Sequence, residues 1–298
     1  MVTNSATRDT LFRVFDLKNL DYLGGFGTYG QGPEEYNVIP SSIYSPYGNA
    51  IHVGSLKNNR IIEVKRNPQN STLDTHLVEE HRTPGELVPL NWSFRLNDTS
   101  FVGDKSFNEG SELAYFNTED HSTGVMLPYP DLVESLTPIA KSLVYLKKLR
   151  VSRDGSTIVM AYSRFPLIRV YDVESKEVKN VFVEVGPQFE QTSEIRMNSD
   201  GMNVNYQDLF SYYVNLEVTE KFIYAQLLIT SWDKTLENVK LHYPSELHVF
   251  DLEGEPQLRI KLEDWMHTYA PSQDDEYIYF WNSGIEDKLY RLPIGDNL

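Results

Sequence analysis

Leu167-Ile-Arg-Val-Tyr-Asp172 is the stretch from which the fold is read. Alternating apolar residues end in an aromatic ring and an acid follows, the pattern of a half-buried strand running into a turn. The pattern returns as Leu11-Phe-Arg-Val-Phe-Asp16 and Leu247-His-Val-Phe-Asp251. Weaker copies are Arg60-Ile-Ile-Glu-Val64, Leu113-Ala-Tyr-Phe116 and Leu289-Tyr-Arg-Leu292. Aligned on Phe15, Val64, Phe116, Tyr171, Phe250 and Leu292, the copies lie 49, 52, 55, 79 and 42 residues apart.

A second strand pattern precedes five of the six copies, at Ile51-His-Val53, Phe101-Val102, Ile158-Val-Met160, Ile223-Tyr224 and Ile278-Tyr-Phe280. A further one follows most copies, as at Tyr22 to Phe26, Val178 to Val185 and Leu258 to Leu262. Asp154-Gly155, Asp200-Gly201 and Glu253-Gly254 mark tight turns between strands. A period near fifty residues, holding three or four short strands, matches a propeller blade. The sequence thus predicts an all-β, six-bladed β-propeller in a single domain over residues 1–298, with blade boundaries near 30, 85, 140, 190 and 263. The first blade is expected to be incomplete, because Leu11 to Asp16 already reads as a third strand. The last is expected to end at Leu292 without a fourth. The wide interval between Tyr171 and Phe250 predicts an inserted loop. Only Pro130 to Lys148 reads as helical, and Pro138 limits it to a short helical loop.

The composition agrees with a folded β domain. Aromatics make up 12% of the 298 residues, with 19 Tyr and 14 Phe, rings suited to pleated surfaces. Basic residues number 27 against 43 acidic, a net charge of −16. A polyanion is repelled by such a chain, so nucleic acid is not an expected partner. There are no cysteines, which excludes disulfides, thiolate metal sites and cysteine nucleophiles. The most apolar segment, Phe222 to Thr230, is too short to span a bilayer as a helix.

Phe26-Gly-Thr-Tyr-Gly-Gln-Gly-Pro-Glu-Glu-Tyr36, with Ile39-Pro40, Ile51-His-Val-Gly54 and Asn59-Arg-Ile-Ile62, resembles the blade junction of NHL-type and TolB-like six-bladed propellers. The bacterial TolB-like group fits best. The resemblance implies a secreted or lipid-anchored protein of the periplasm or cell envelope, most of whose relatives have no known function. Two features depart from that group: residues 1–10 lack a signal-peptide pattern, and there is no cysteine to carry lipid. A lipid anchor is therefore expected only if a native N-terminus precedes Met1.

Candidate sites are few. Gly25-Phe-Gly-Thr-Tyr-Gly30 satisfies G-x-G-x-x-G, but Pro33 and Pro40 follow where a dinucleotide site needs a helix, so it reads as a loop between blades. Glu34 and Glu35 in that loop, with Arg60, are the candidate ligand-binding residues; adjacent carboxylates on an extended loop point apart, which argues against a shared acid–base role. His52, His76, His81, His121, His242, His248 and His267 form no metal-ligand spacing, although His242 and His248 share strand parity. His52 reads as packed. Ser152-Arg-Asp-Gly155 and Asn198-Ser-Asp-Gly201 lack the acids of a calcium loop and read as turns. Trp92, Trp232, Trp265 and Trp281 read as packing residues. No catalytic set emerges. The expected function is a non-enzymatic module binding a protein, peptide or glycan, without cofactor. The alternative is a calcium-dependent gluconolactonase-like hydrolase, whose ligands would come from different blades.

Overall fold

The computed structural model describes residues 2–3, 10–30, 35–36, 42–44, 50–54, 58–66, 73–82, 84, 90–105, 111–133, 136, 141, 144–184, 210–231, 245–262, 266, 268–281 and 289–298. The chain forms two compact units, residues 1–105 with 113–124, and residues 106–112 with 125–298.

The first unit opens with a three-stranded sheet of β1 (Val2–Thr3), β2 (Phe12–Phe15) and β3 (Tyr22–Phe26). A short parallel pair follows, β4 (Thr28–Tyr29) with β5 (Glu35–Tyr36). Next comes a four-stranded sheet of β6 (Ser42–Tyr44), β7 (Ala50–Gly54), β8 (Asn58–Arg66) and β9 (Leu73–Arg82). Another is made of β10 (Leu90–Arg95), β11 (Ser100–Lys105), β12 (Ser111–Asn117) and β13 (Thr123–Pro128), of which residues 111–112 and 125–128 fall in the second unit. Leu11, Phe12, Tyr36, Val53 and Ile62 form one apolar cluster of this unit.

The second unit holds β14 (Lys147–Val151), β15 (Thr157–Tyr162), β16 (Leu167–Asp172) and β17 (Val178–Phe182) in one antiparallel sheet. A second has β18 (Phe210–Val218), β19 (Phe222–Ser231), β20 (Ser245–Asp251) and β21 (Pro256–Leu262). A three-stranded sheet of β22 (Thr268–Pro271), β23 (Tyr277–Trp281) and β24 (Leu289–Pro293) completes it.

The six repeat copies are β2, β8, β12, β16, β20 and β24, and the strand patterns ahead of them are β7, β11, β15, β19 and β23. Their apolar residues have partners on both faces. Ile223, Ala225 and Leu227 of β19 pack in a cluster with Val159, Ala161, Ile168 and Val170 of the preceding sheet. Tyr224, one residue out of phase, belongs instead to the cluster of Leu247, Val249, Tyr269 and Ile278. Outer strands differ: every described residue of β17 except Val181 is exposed, as an edge strand requires. Ion pairs also tie consecutive sheets, with Arg150 bidentate on Glu217 at 2.7 and 3.1 Å and Lys179 on Glu255 at 2.5 Å.

The acid that ends the repeat has a local job. In the hairpins that follow β2, β12, β16 and β20, Asp16, Asn117, Asp172 and Asp251 each accept a backbone N–H through Oδ1, from Lys18, Glu119, Ser175 and Glu255. The turn then needs one left-handed residue, supplied by Leu20, His121, Lys176 and Gly254 at φ 64°, 58°, 61° and 80°. The Ser175 N–H holds the Asp172 carboxyl below its ordinary range. Hairpins between first and second strands use a related device. Ser152 Oγ donates to Asp154 and accepts from Thr157 N–H, and Ser272 repeats this with Asp274 and Tyr277. Ser152 to Gly155 is therefore a turn, while Asn198 to Gly201 lies outside the described residues.

Three expectations need adjustment. β1 pairs with Phe12–Phe15, so one strand precedes the first repeat copy where none was read. Lys147 and Lys148, read as the end of a helical loop, begin β14; Tyr145 N–H donating to the Lys141 carbonyl at 2.8 Å marks one helical turn just before it. The strand read as Val178 to Val185 ends at Phe182. Residues 185–209 and 232–244, within the wide interval, lie outside the described residues.

Gly254→Ala tests the turn device. A Cβ there would meet Val181 Cγ2 at 2.7 Å, on a backbone that disfavours L side chains. The substitution is expected to lower stability by about 1–2 kcal/mol, measured by thermal unfolding.

Candidate functional site

Arg60 lies near the start of β8, and the structure does bring it to Glu35. The contact is to the main chain: Arg60 Nη1 donates to the Glu35 carbonyl at 3.0 Å, and Nε donates to Glu80 Oε1 at 2.9 Å. Its guanidinium stands 5.2 Å from the Tyr36 ring centroid. Burial pushes the Tyr36 phenol up, against the pull of Arg60. The Glu35 carboxylate lies against Gly30, where a Cβ would fall 1.9 Å from Oε2. The glycine of the G-x-G-x-x-G run thus makes room for a side chain, and its N–H donates to the Tyr36 carbonyl at 3.0 Å. Glu34 lies outside the described residues. So do His242, His267, Trp232, Trp265 and the side chain of Trp92. His52 and Trp281 are buried, as packing residues are.

A cluster that the sequence did not single out sits in the second unit. Glu112 is fully buried at the start of β12. Arg169 Nη1 donates to its Oε2 at 2.5 Å, the Tyr162 hydroxyl donates to Oε1, and Lys147 Nζ lies 3.6 Å from Oε1. Arg169 also donates to the Pro128 carbonyl at 2.9 Å and to Asn180 at 3.0 Å. Burial, then the Glu112 charge, drives the Tyr162 phenol well above its ordinary range. The carboxylate is bound by two cations and a hydroxyl, an arrangement that holds strands together and leaves no oxygen poised as a base.

Glu246, His248, Tyr213 and Arg259 make another polar chain, across β18, β20 and β21. A cleft of about 570 Å³ opens elsewhere in this unit, lined by Lys221, Phe222, Asp274, Asp275, Glu276 and Asp296 among others. Among the described residues no group of three or more His, Asp or Glu side chains is placed to hold a metal ion. No helix among them is long and apolar enough to cross a membrane.

Strands repeated at this period, apolar on both faces in the middle and exposed at the edge, are the parts of a propeller. The model of the TolB-like 6-blade propeller-like family matches residues 1–273. The chain belongs to this family. Its fold is an all-β propeller. None of the curated proteins matches the sequence. Among solved structures, a member of the DUF4221 family from Bacteroides vulgatus has a TM-score of 0.59 at 10% identity, over 96% of this chain and 88% of that one. A protein from Bacteroides fragilis, provisionally described as exported, has a TM-score of 0.52 at 15% identity, over 90% and 72%. At these identities the likeness extends to the fold alone.

In this TolB-like propeller the signals for the Glu112 cluster were present but unreadable. Arg169 is the polar position of its strand pattern, but the partner lies 57 residues away in the chain. Glu112→Gln is expected to destabilise the protein by about 3–5 kcal/mol, because it leaves two buried cations without their anion. Urea unfolding at neutral pH measures it. Arg60→Lys keeps a charge near Glu80 but loses the planar fork; a cost of about 1 kcal/mol in the same assay is expected.

Proposed function

We propose that this propeller is a non-enzymatic binding or interaction module acting outside the cytoplasm, with a protein, peptide or glycan as ligand. One observation carries the reading. In each complete antiparallel sheet, the connections between first and second strands and between third and fourth strands leave from one end. Where these connections are described, in the sheets β10–β13, β14–β17 and β18–β21, they are short turns capped by Asp, Asn, Ser or Thr. The connections between second and third strands leave from the other end, and they include the longest hairpin connection of the chain, residues 232–244. A rigid scaffold closed at one end and carrying variable connections at the other is suited to recognition.

Arg60, at the start of a third strand, lies at the variable end of its sheet, and Glu35 is beside it. Glu34, Glu35 and Arg60 are therefore the residues proposed to contact ligand. We propose six blades in one domain over residues 1–298, with boundaries near 30, 85, 140, 190 and 263, a reading supported by the six sheets of three or more strands among the described residues. The similarity to a protein provisionally described as exported favours the periplasm or cell envelope.

Thermal unfolding separates the module from a calcium-dependent hydrolase. The midpoint is expected to be the same with EDTA and with excess Ca²⁺, and to rise with a bound peptide or glycan. Saturation at about 100 times Kd corresponds to about 2.7 kcal/mol of stabilisation. An EDTA-reversible rise with Ca²⁺ would overturn the reading and direct attention to lactone and ester substrates.

A further inference from the structure

Tyr213 lies between two register shifts in the pairing of β18 with β19, at Ser211/Tyr213 and at Tyr213/Asn215. The ladder that should hold the start of β18 is irregular there. A side-chain link spans the gap. The Tyr213 hydroxyl reaches past β19 to His248 Nδ1 on β20, at 3.4 Å. His248 Nε2 faces Glu246 Oε2 at 3.1 Å, and Arg259 on β21 grips both oxygens of Glu246 at 2.6 and 2.8 Å. The hydrogen bonds select one neutral tautomer, with Nε2–H donating to the carboxylate and Nδ1 accepting from the phenol.

The side chains of Arg259, Glu246 and His248 are 61%, 22% and 7% exposed, and Tyr213 is fully buried, so the chain runs from solvent into the core. The surroundings of His248 offer few other charges. Ala225 of β19 and Arg259 of β21 are its neighbours across the strands. Phe250 follows on its own strand and joins the apolar cluster of Val159, Ala161, Ile168 and Val170. From that sheet Arg164 reaches the start of β18, with Nη1 3.5 Å from Ser211 Oγ.

A proton can enter only at Nδ1, which already accepts from Tyr213. Its arrival turns Nδ1 from acceptor to donor, so the Tyr213 hydroxyl must swing its own hydrogen away from the ring and accept instead, and a cation is placed beside it in the buried site. We propose that His248 is an acid-sensitive latch, which holds the start of β18 to β20 while neutral and loosens that hold when Nδ1 is protonated. This goes beyond the ligand reading and does not depend on it.

Burial lowers the affinity of His248 for the proton, with Glu246 working the other way and Arg259 with burial. The folded state therefore favours the neutral ring. The stability this contributes is present in full above the unfolded-state range of about pH 6.5, and is lost as pH falls through that value toward the folded one.

Hydrogen–deuterium exchange of the purified protein, corrected for intrinsic rates, tests the latch at about pH 7.5 and about pH 5.5. The readout is peptides covering Phe210–Val218, in wild type and in His248→Gln. Acidification is expected to reduce wild-type protection there, because the folded state favours the neutral ring. Peptides of β14 to β16 should hold, and the variant should show equal protection at both pH values. Equal losses in wild type and variant, or a loss spread evenly over both sheets, would overturn the proposal. If the variant does not fold, the wild-type imidazole is followed by NMR. Titration below the ordinary histidine range, in step with changes at Tyr213, supports the latch; titration at the ordinary value overturns it.

Discussion

A strand buried on both faces must find apolar partners on each side, and this constraint organises the protein. In β15 all six residues are buried, and in β16 five of six, so neither strand has a face left for water. Two-sided burial cannot be met within a single antiparallel sheet, which is only one layer thick. It is met by a neighbouring sheet on each flank. β19 shows the geometry within a few residues: Ile223 and Ala225 belong to one cluster, and Tyr224 between them to the next. Stacked sheets of this kind repeat at the interval of one sheet, which is why the period near fifty residues is visible in the chain. It is also why the outer strands are free to be charged.

Such stacking leaves little freedom to place polar groups, and the structure uses them in two ways. At the end of the sheets where the short described turns lie, they serve the backbone. Asp16, Asn117, Asp172 and Asp251 satisfy N–H groups that a tight hairpin would otherwise leave without partners. At the other end they serve one another. Glu112 with Arg169, Lys147 and Tyr162, and Glu246 with His248 and Arg259, both sit near the starts of third strands. There the connections depart and the apolar packing thins. A charge in such a place must be paired, since burying it alone costs several kcal/mol (roughly the effective penalty per ion).

The distribution of charge fits this division. The chain carries a net charge of −16, yet Lys147, Arg164 and Arg169 are among its buried residues. The guanidinium and ammonium groups are drawn inward as counter-ions and hydrogen-bond donors, a role for which the planar, multi-donor Arg is suited. Arg60 follows the same logic in the first unit, where it joins the Glu35 carbonyl, the Glu80 carboxylate and the Tyr36 ring. The polar chain through His248 differs in one respect: its central group can change charge within the range of pH that cells meet.

The sequence by itself determined the blade repeat, because strand alternation and turn chemistry are local. Two neighbouring residues decide whether a face is apolar, and an Asp or Asn five or six residues before the next strand decides how the hairpin closes. All six repeat copies could be found on that basis, as could the packed state of His52; Gly25 to Gly30, read as a loop, instead runs from the end of β3 into β4. The glycine run also hinted at a crowded position, but not that the Glu35 carboxylate would fill it while its carbonyl served Arg60. Pairings such as Glu112 with Arg169, or Tyr213 with His248, were decided only by the tertiary structure. They join residues 57 and 35 positions apart, on strands whose register and stacking are set by the sum of many apolar contacts. A buried polar group takes its partner from that geometry, and no short window of sequence contains it.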